Sequence, residues 1–147
     1  SLAAAVGLGA LLGPSQVGAR LLEALFGRRL HPVWSLVAAS AAVVAGLGFM
    51  TLGTGYVTAG IIIYGAGNGI LSIARGTVPL AIFGREGYAS LMGMLSMPVL
   101  VMQAASPLLG LAMIKYTGAA NTMLLLCGIS VLNVLLVAAL IPYTAHR

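Results

Sequence analysis

The sequence predicts an all-α polytopic membrane protein, and three observations carry that prediction. Only 6% of the 147 residues are charged, whereas 61% are hydrophobic. The apolar residues gather into five runs, each near the roughly 20 residues that a helix needs to cross a bilayer. None of the runs alternates polar and apolar residues as a barrel strand would. A soluble domain is nearer a quarter charged, because water must solvate its surface. With seven basic and two acidic residues in the whole chain, lipid is the natural solvent. The 20 glycines agree, since small residues let membrane helices approach closely.

The first run covers about residues 2–26 and contains Pro14, whose missing N–H and bulky ring predict a kink. It begins on apolar residues with no Met and no basic segment, unlike a signal peptide. That start predicts a chain cut within or just before a helix, with further N-terminal helices of a parent chain missing. The second run spans about 33–52, the third 56–80, the fourth 90–114 and the last 121–141. All five are read as one partial bundle over residues 1–147. The fourth carries Pro98 and Pro107 as bending points.

The connections are short and their charges alternate. Six basic residues (Arg20, Arg28, Arg29, Arg75, Arg85 and Arg147) fall towards one side, and Lys115 alone towards the other. The positive-inside rule makes the richer side cytoplasmic, so the chain ends inside. Trp34, Tyr56, Tyr88, Tyr116 and Tyr143 stand near span ends, where an amphipathic ring suits the headgroup layer. The basic residues are spread between apolar runs, which excludes the clustered face of a nucleic-acid binder. His31 and His146 are isolated, Glu23 and Glu86 lie far apart, and Cys127 has no second cysteine to pair with. No metal site, disulfide or cofactor is therefore expected.

Polarity is distributed unevenly among the spans. The second and the last hold only scattered Ser, Thr and Asn, and are read as facing lipid over much of their circumference. In the first, Gln16, Arg20 and Glu23 recur at i, i+4 and i+7 and share one helical face; Arg20 and Glu23 are spaced to pair. In the third, Tyr64, Asn68, Ser72 and Arg75 form a second stripe beside the glycines 65, 67 and 69. In the fourth, Ser96, Gln103 and Ser106 form a third. An arginine at the bilayer centre costs at least about 2.5–3.5 kcal/mol unless it meets a partner or water, so the stripes are best placed around a common cavity. The candidate cavity residues are Gln16, Arg20, Tyr64, Asn68, Arg75 and Gln103. Two readings stay open for Arg20 and Arg75: lining the cavity, or snorkelling to cytoplasmic headgroups and pairing structurally. For Gln16, Asn68 and Gln103 the alternative is an interhelical hydrogen bond; for Tyr64 it is aromatic packing.

The stretch from Ala19 to Arg29 resembles the second copy of the cytoplasmic signature Gly-x-Leu-x-Asp-x-x-Gly-Arg-Arg of the major facilitator superfamily. Leu21, Glu23, Gly27, Arg28 and Arg29 take its positions, with Ala19 for the glycine, Glu23 for the aspartate and one extra residue before Gly27. The segments Tyr64–Ile70, Arg75–Leu80 and Phe83–Tyr88 also look like bacterial members. The resemblance covers nearly the whole chain and implies helices eight to twelve of twelve. It implies that the first, third and fourth spans line a midplane cavity while the second and fifth are peripheral. It further implies alternating access by two rocking bundles, a small-molecule substrate, a coupling proton or ion, and a bacterial inner membrane. An arginine in the cavity would favour an anionic substrate, and Glu23 is the one candidate intramembrane proton carrier. Two other classes compete: a non-transporting membrane subunit or scaffold, and a membrane enzyme acting on lipid. The enzyme would need an acidic or His-bearing cluster that the sequence lacks, so no enzymatic activity is expected.

Overall fold

The computed structural model describes residues 2–26, 32–139 and 141–144, and among these all regular structure is helical. The elements are α1 (Leu2–Ala10), α2 (Leu12–Phe26), α3 (Pro32–Thr51), a short 3-10 turn (Thr54–Tyr56), α4 (Val57–Phe83), α5 (Tyr88–Thr117), α6 (Ala119–Ala138) and α7 (Ile141–Thr144). Among the described residues, four segments are long and apolar enough to cross a membrane: Pro32–Thr51, Thr54–Phe83, Tyr88–Thr117 and Ala119–Ala138. They fall on the last four predicted spans.

The first predicted span is two helices rather than one, because it breaks at Leu11. Pro14 supplies no N–H to the Ala10 carbonyl and its ring crowds that oxygen. The backbone tightens there: the Leu11 N–H donates to the Leu8 carbonyl at 3.2 Å, and the four-residue pattern resumes with Ser15 N–H to the Leu11 carbonyl at 3.1 Å. α3 begins on Pro32, a position where the missing N–H deprives the helix of nothing. Between α5 and α6 the connection is Gly118 alone, at φ +83°, a backbone state that favours glycine.

Contacts join α2 to α4, α4 to α3, and α3 to α6, with the α3–α4 contact the most extensive. Glycines on two faces of α4 make the central part of this row. A Cβ on Gly67 would stand 2.7 Å from the Ala39 carbonyl oxygen, and one on Gly60 would stand 2.7 Å from that of Gly46. Residues thus pair in opposite directions, so α3 and α4 are antiparallel. On the other face, Gly65 abuts Leu12 and Ser15 while Gly69 abuts Gln16, so α2 runs parallel to α4. Gly65 and Gly69 are four apart, the spacing that brings helix backbones together in lipid. A small apolar cluster of Val33, Ala74 and Val78, flanked by Leu36, Val37, Ile82 and Ile141, closes the α3–α4 pair at the α3 N-terminal end.

This arrangement corrects the expected role of the second span. α3 is central, between α4 and α6, and holds buried Val33, Ser35, Ala39, Ser40, Gly46 and Leu47. It is neither peripheral nor mainly lipid-facing. The reason is its composition: Ala, Ser and Gly permit close approach from both sides, whereas apolarity by itself gives helices no preference for each other in lipid. α5 buries none of its residues, yet Ser96 and Gln103, two of the three residues that suggested an inward face, border a space between α3, α4 and α5.

Candidate functional site

α4 brings three of the candidate residues to one place. Tyr64, Asn68 and Arg75 line a cavity of about 310 Å³ between α3, α4 and α6. Its remaining polar lining comes from Ser40 on α3 and from Ser130 and Asn133 on α6; Val43, Leu47, Leu71, Leu126 and Ile129 complete the wall. A second cavity, of about 470 Å³, lies between α3, α4 and α5. Arg75, Ser96 and Gln103 are its polar residues, and Leu36, Val78, Met92, Leu95, Val99 and Leu100 are among its apolar ones. Arg75 therefore borders both.

The hydrogen-bonding state of these groups differs. Ser40 is 2% exposed, and its hydroxyl is the buried side-chain polar atom without a hydrogen-bond partner among the described residues. Such an atom forfeits about 1–3 kcal/mol of hydration unless something else binds it. The Ser130 hydroxyl donates to the Leu126 carbonyl at 2.5 Å, leaving its oxygen able to accept. Ser72, although on the same α4 stripe, donates to the Gly69 carbonyl at 2.6 Å and borders neither cavity. The chain has two acidic residues, Glu23 and Glu86, and neither lines either cavity. Arg75, an exposed residue, thus borders both spaces, and no carboxylate stands in their walls.

Other candidates lie elsewhere. Gln16 and Arg20 border neither of these two cavities. The Gln16 main chain is pressed against Gly69, where a Cβ would stand 2.6 Å from its carbonyl oxygen; the break at Leu11 precedes this contact. Arg20 is exposed, Leu21 is exposed and Glu23 is half-buried on α2. Gly27, Arg28 and Arg29 of the signature loop lie outside the described residues. Ser40, Ser130 and Asn133 were not singled out by the sequence. Ser130 and Asn133 do carry a signal, because three-residue spacing puts them on one face of α6. Ser40 carries none, being one hydroxyl in a run of Ala and Val.

Tyr88, at the start of α5, ties two helices, its hydroxyl donating to the Gly76 carbonyl at 2.9 Å. Among the described residues, no group of three or more His, Cys, Asp or Glu is placed to hold a metal ion. The arrangement offers hydrogen bonding and one positive charge; it holds no nucleophile paired with a base. No family model matches the chain, and no match emerges among curated proteins or solved structures.

Proposed function

We propose that the chain is part of an integral membrane transporter that moves a small solute, with the cavity between α3, α4 and α6 as the solute site. The observation that carries this reading is the convergence of Ser40, Tyr64, Asn68, Arg75, Ser130 and Asn133 from three helices onto one space. Polar and charged groups inside apolar helices are costly and mark solute or ion pathways when they share a cavity. The likeness of the Ala19–Arg29 stretch to the major facilitator signature supports the same class, with alternating access as the mechanism and a proton or ion as coupling partner. The central position of α3 departs from that family's arrangement, so the site is assigned from its own residues. The distribution of basic residues supports a cytoplasmic C-terminus, and the resemblance implies a bacterial inner membrane.

The test is solute uptake by the full-length protein in proteoliposomes. Arg75→Ala and Asn68→Ala are expected to lower transport about tenfold or more, because each removes a charged or bidentate hydrogen-bonding group from the cavity wall. Arg20→Ala, outside both cavities, is expected to change it little. Unchanged kinetics in both cavity variants would remove this site, and no uptake of any solute by the unaltered protein would favour a non-transporting scaffold role.

A further inference from the structure

We infer that the two cavities sharing Arg75 form a single site for an amphipathic organic monocarboxylate, its head in the α3–α4–α6 cavity and its hydrocarbon part in the α3–α4–α5 cavity. The assignment rests on the reading of the polar cavity as a solute site and adds the chemistry of the ligand.

Charge sets the head group. Arg75 is the one charged residue in either wall, and the chain's two acidic side chains lie elsewhere. It stands eight residues before the end of α4 at Phe83, about 12 Å of helical rise. A cation at that depth needs a counter-charge or water. A monoanion balances it, whereas a dianion would leave one charge without a counter-charge between apolar helices. The planar guanidinium fork fits a carboxylate through two parallel hydrogen bonds. The buried Ser40 hydroxyl, which has no partner among the described residues, lies in the same wall and supplies a further donor. Asn68 and Asn133 add amide groups.

Shape and polarity set the rest. On the other side of Arg75 the larger cavity is lined mainly by aliphatic and Met side chains. Away from Arg75, Ser96 and Gln103 such a wall offers nothing to a small hydrophilic anion and binds hydrocarbon or an aromatic ring well. The carboxylate is assigned to the α3–α4–α6 side because that wall adds Ser40, Tyr64, Asn68, Ser130 and Asn133 to Arg75, whereas the other side adds only Ser96 and Gln103.

The experiment measures binding to the full-length protein in nanodiscs by calorimetry, with empty nanodiscs subtracted. The probes are 3-phenylpropanoate, acetate and 3-phenylpropanamide. 3-Phenylpropanoate is expected to bind about tenfold or more tightly than either of the others, since only it joins a carboxylate for Arg75 to a ring for the apolar side. Arg75→Gln is expected to abolish the preference for the acid over the amide. Val99→Trp, which fills the apolar side, is expected to weaken phenylpropanoate about tenfold and leave acetate unchanged. Ser40→Ala is expected to weaken both anions about three- to tenfold without loss of thermal stability, because the hydroxyl it removes has no partner. Equal binding of acid and amide would overturn the inference, as would equal binding of acetate and phenylpropanoate, or no phenylpropanoate binding at all. Binding that disappears when phosphatidylglycerol replaces phosphatidylcholine would also overturn it, by assigning Arg75 to lipid headgroups. Uptake of a neutral polar solute with no anion binding would overturn it while leaving the transport reading standing. Anion binding without uptake of any solute would uphold the site and remove transport.

Discussion

Pro107 has no N–H for the Gln103 carbonyl four residues back, and the Ser106 hydroxyl takes that place at 2.9 Å. In hydrocarbon no water would do so, and an unsatisfied carbonyl is costly there. Ser106→Ala is expected to destabilise the protein by about 0.5–1.5 kcal/mol, measured by reversible unfolding in mixed detergent. Combined with Pro107→Ala the loss should vanish, since the new amide at position 107 can restore the helical bond. Persistence of the full loss in the double variant would dissociate the hydroxyl from the proline. Local effects of this kind are legible in the sequence, because a proline acts on a carbonyl at a fixed separation. The break at Leu11, set by Pro14, is another case. Ser40 is the opposite case: nothing near it in the chain distinguishes it from a hydroxyl facing lipid.

Between α3 and α4 the distance is set by glycine. A Cβ on Gly46 would stand 2.5 Å from the Tyr64 amide nitrogen, with the Tyr64 Cα and Cβ at 2.7 Å. Backbone cannot move aside as the end of a flexible side chain can. Gly46→Ala is therefore expected to cost about 1–3 kcal/mol through overpacking, with Tyr64 displaced from the cavity wall and binding weakened. Gly93→Ala on α5, where a Cβ meets nothing within 4 Å, is expected to gain about 0.5–1 kcal/mol through helix propensity. Equal effects of the two in thermal unfolding would show that α3 and α4 are not in backbone contact. Helix positions were legible from the apolar runs, and the α4 stripe of Tyr64, Asn68 and Arg75 from its spacing. The role of α3 was not. Its small residues read as featureless until α4 and α6 are seen to occupy both sides.

At the scale of the whole chain, the proposed orientation rests on the basic residues. In a Cys127→Ala background, T54C is expected to react with an impermeant maleimide added outside intact cells, and E86C only after lysis. The reverse pattern would invert the topology and place the C-terminus outside. The sequence by itself determined the helical class, the positions of the apolar segments and the consequences of the prolines. These depend on solvent transfer summed along one segment or on bonds between near neighbours, so they need no partner. Only the tertiary structure decided that α3 lies at the centre, that Gln16 and Arg20 border neither cavity, and that Arg75 borders both. Those outcomes depend on which helix surfaces meet. In lipid, close fit and small residues choose the meeting surfaces, and the polarity of one helix alone does not reveal its neighbour.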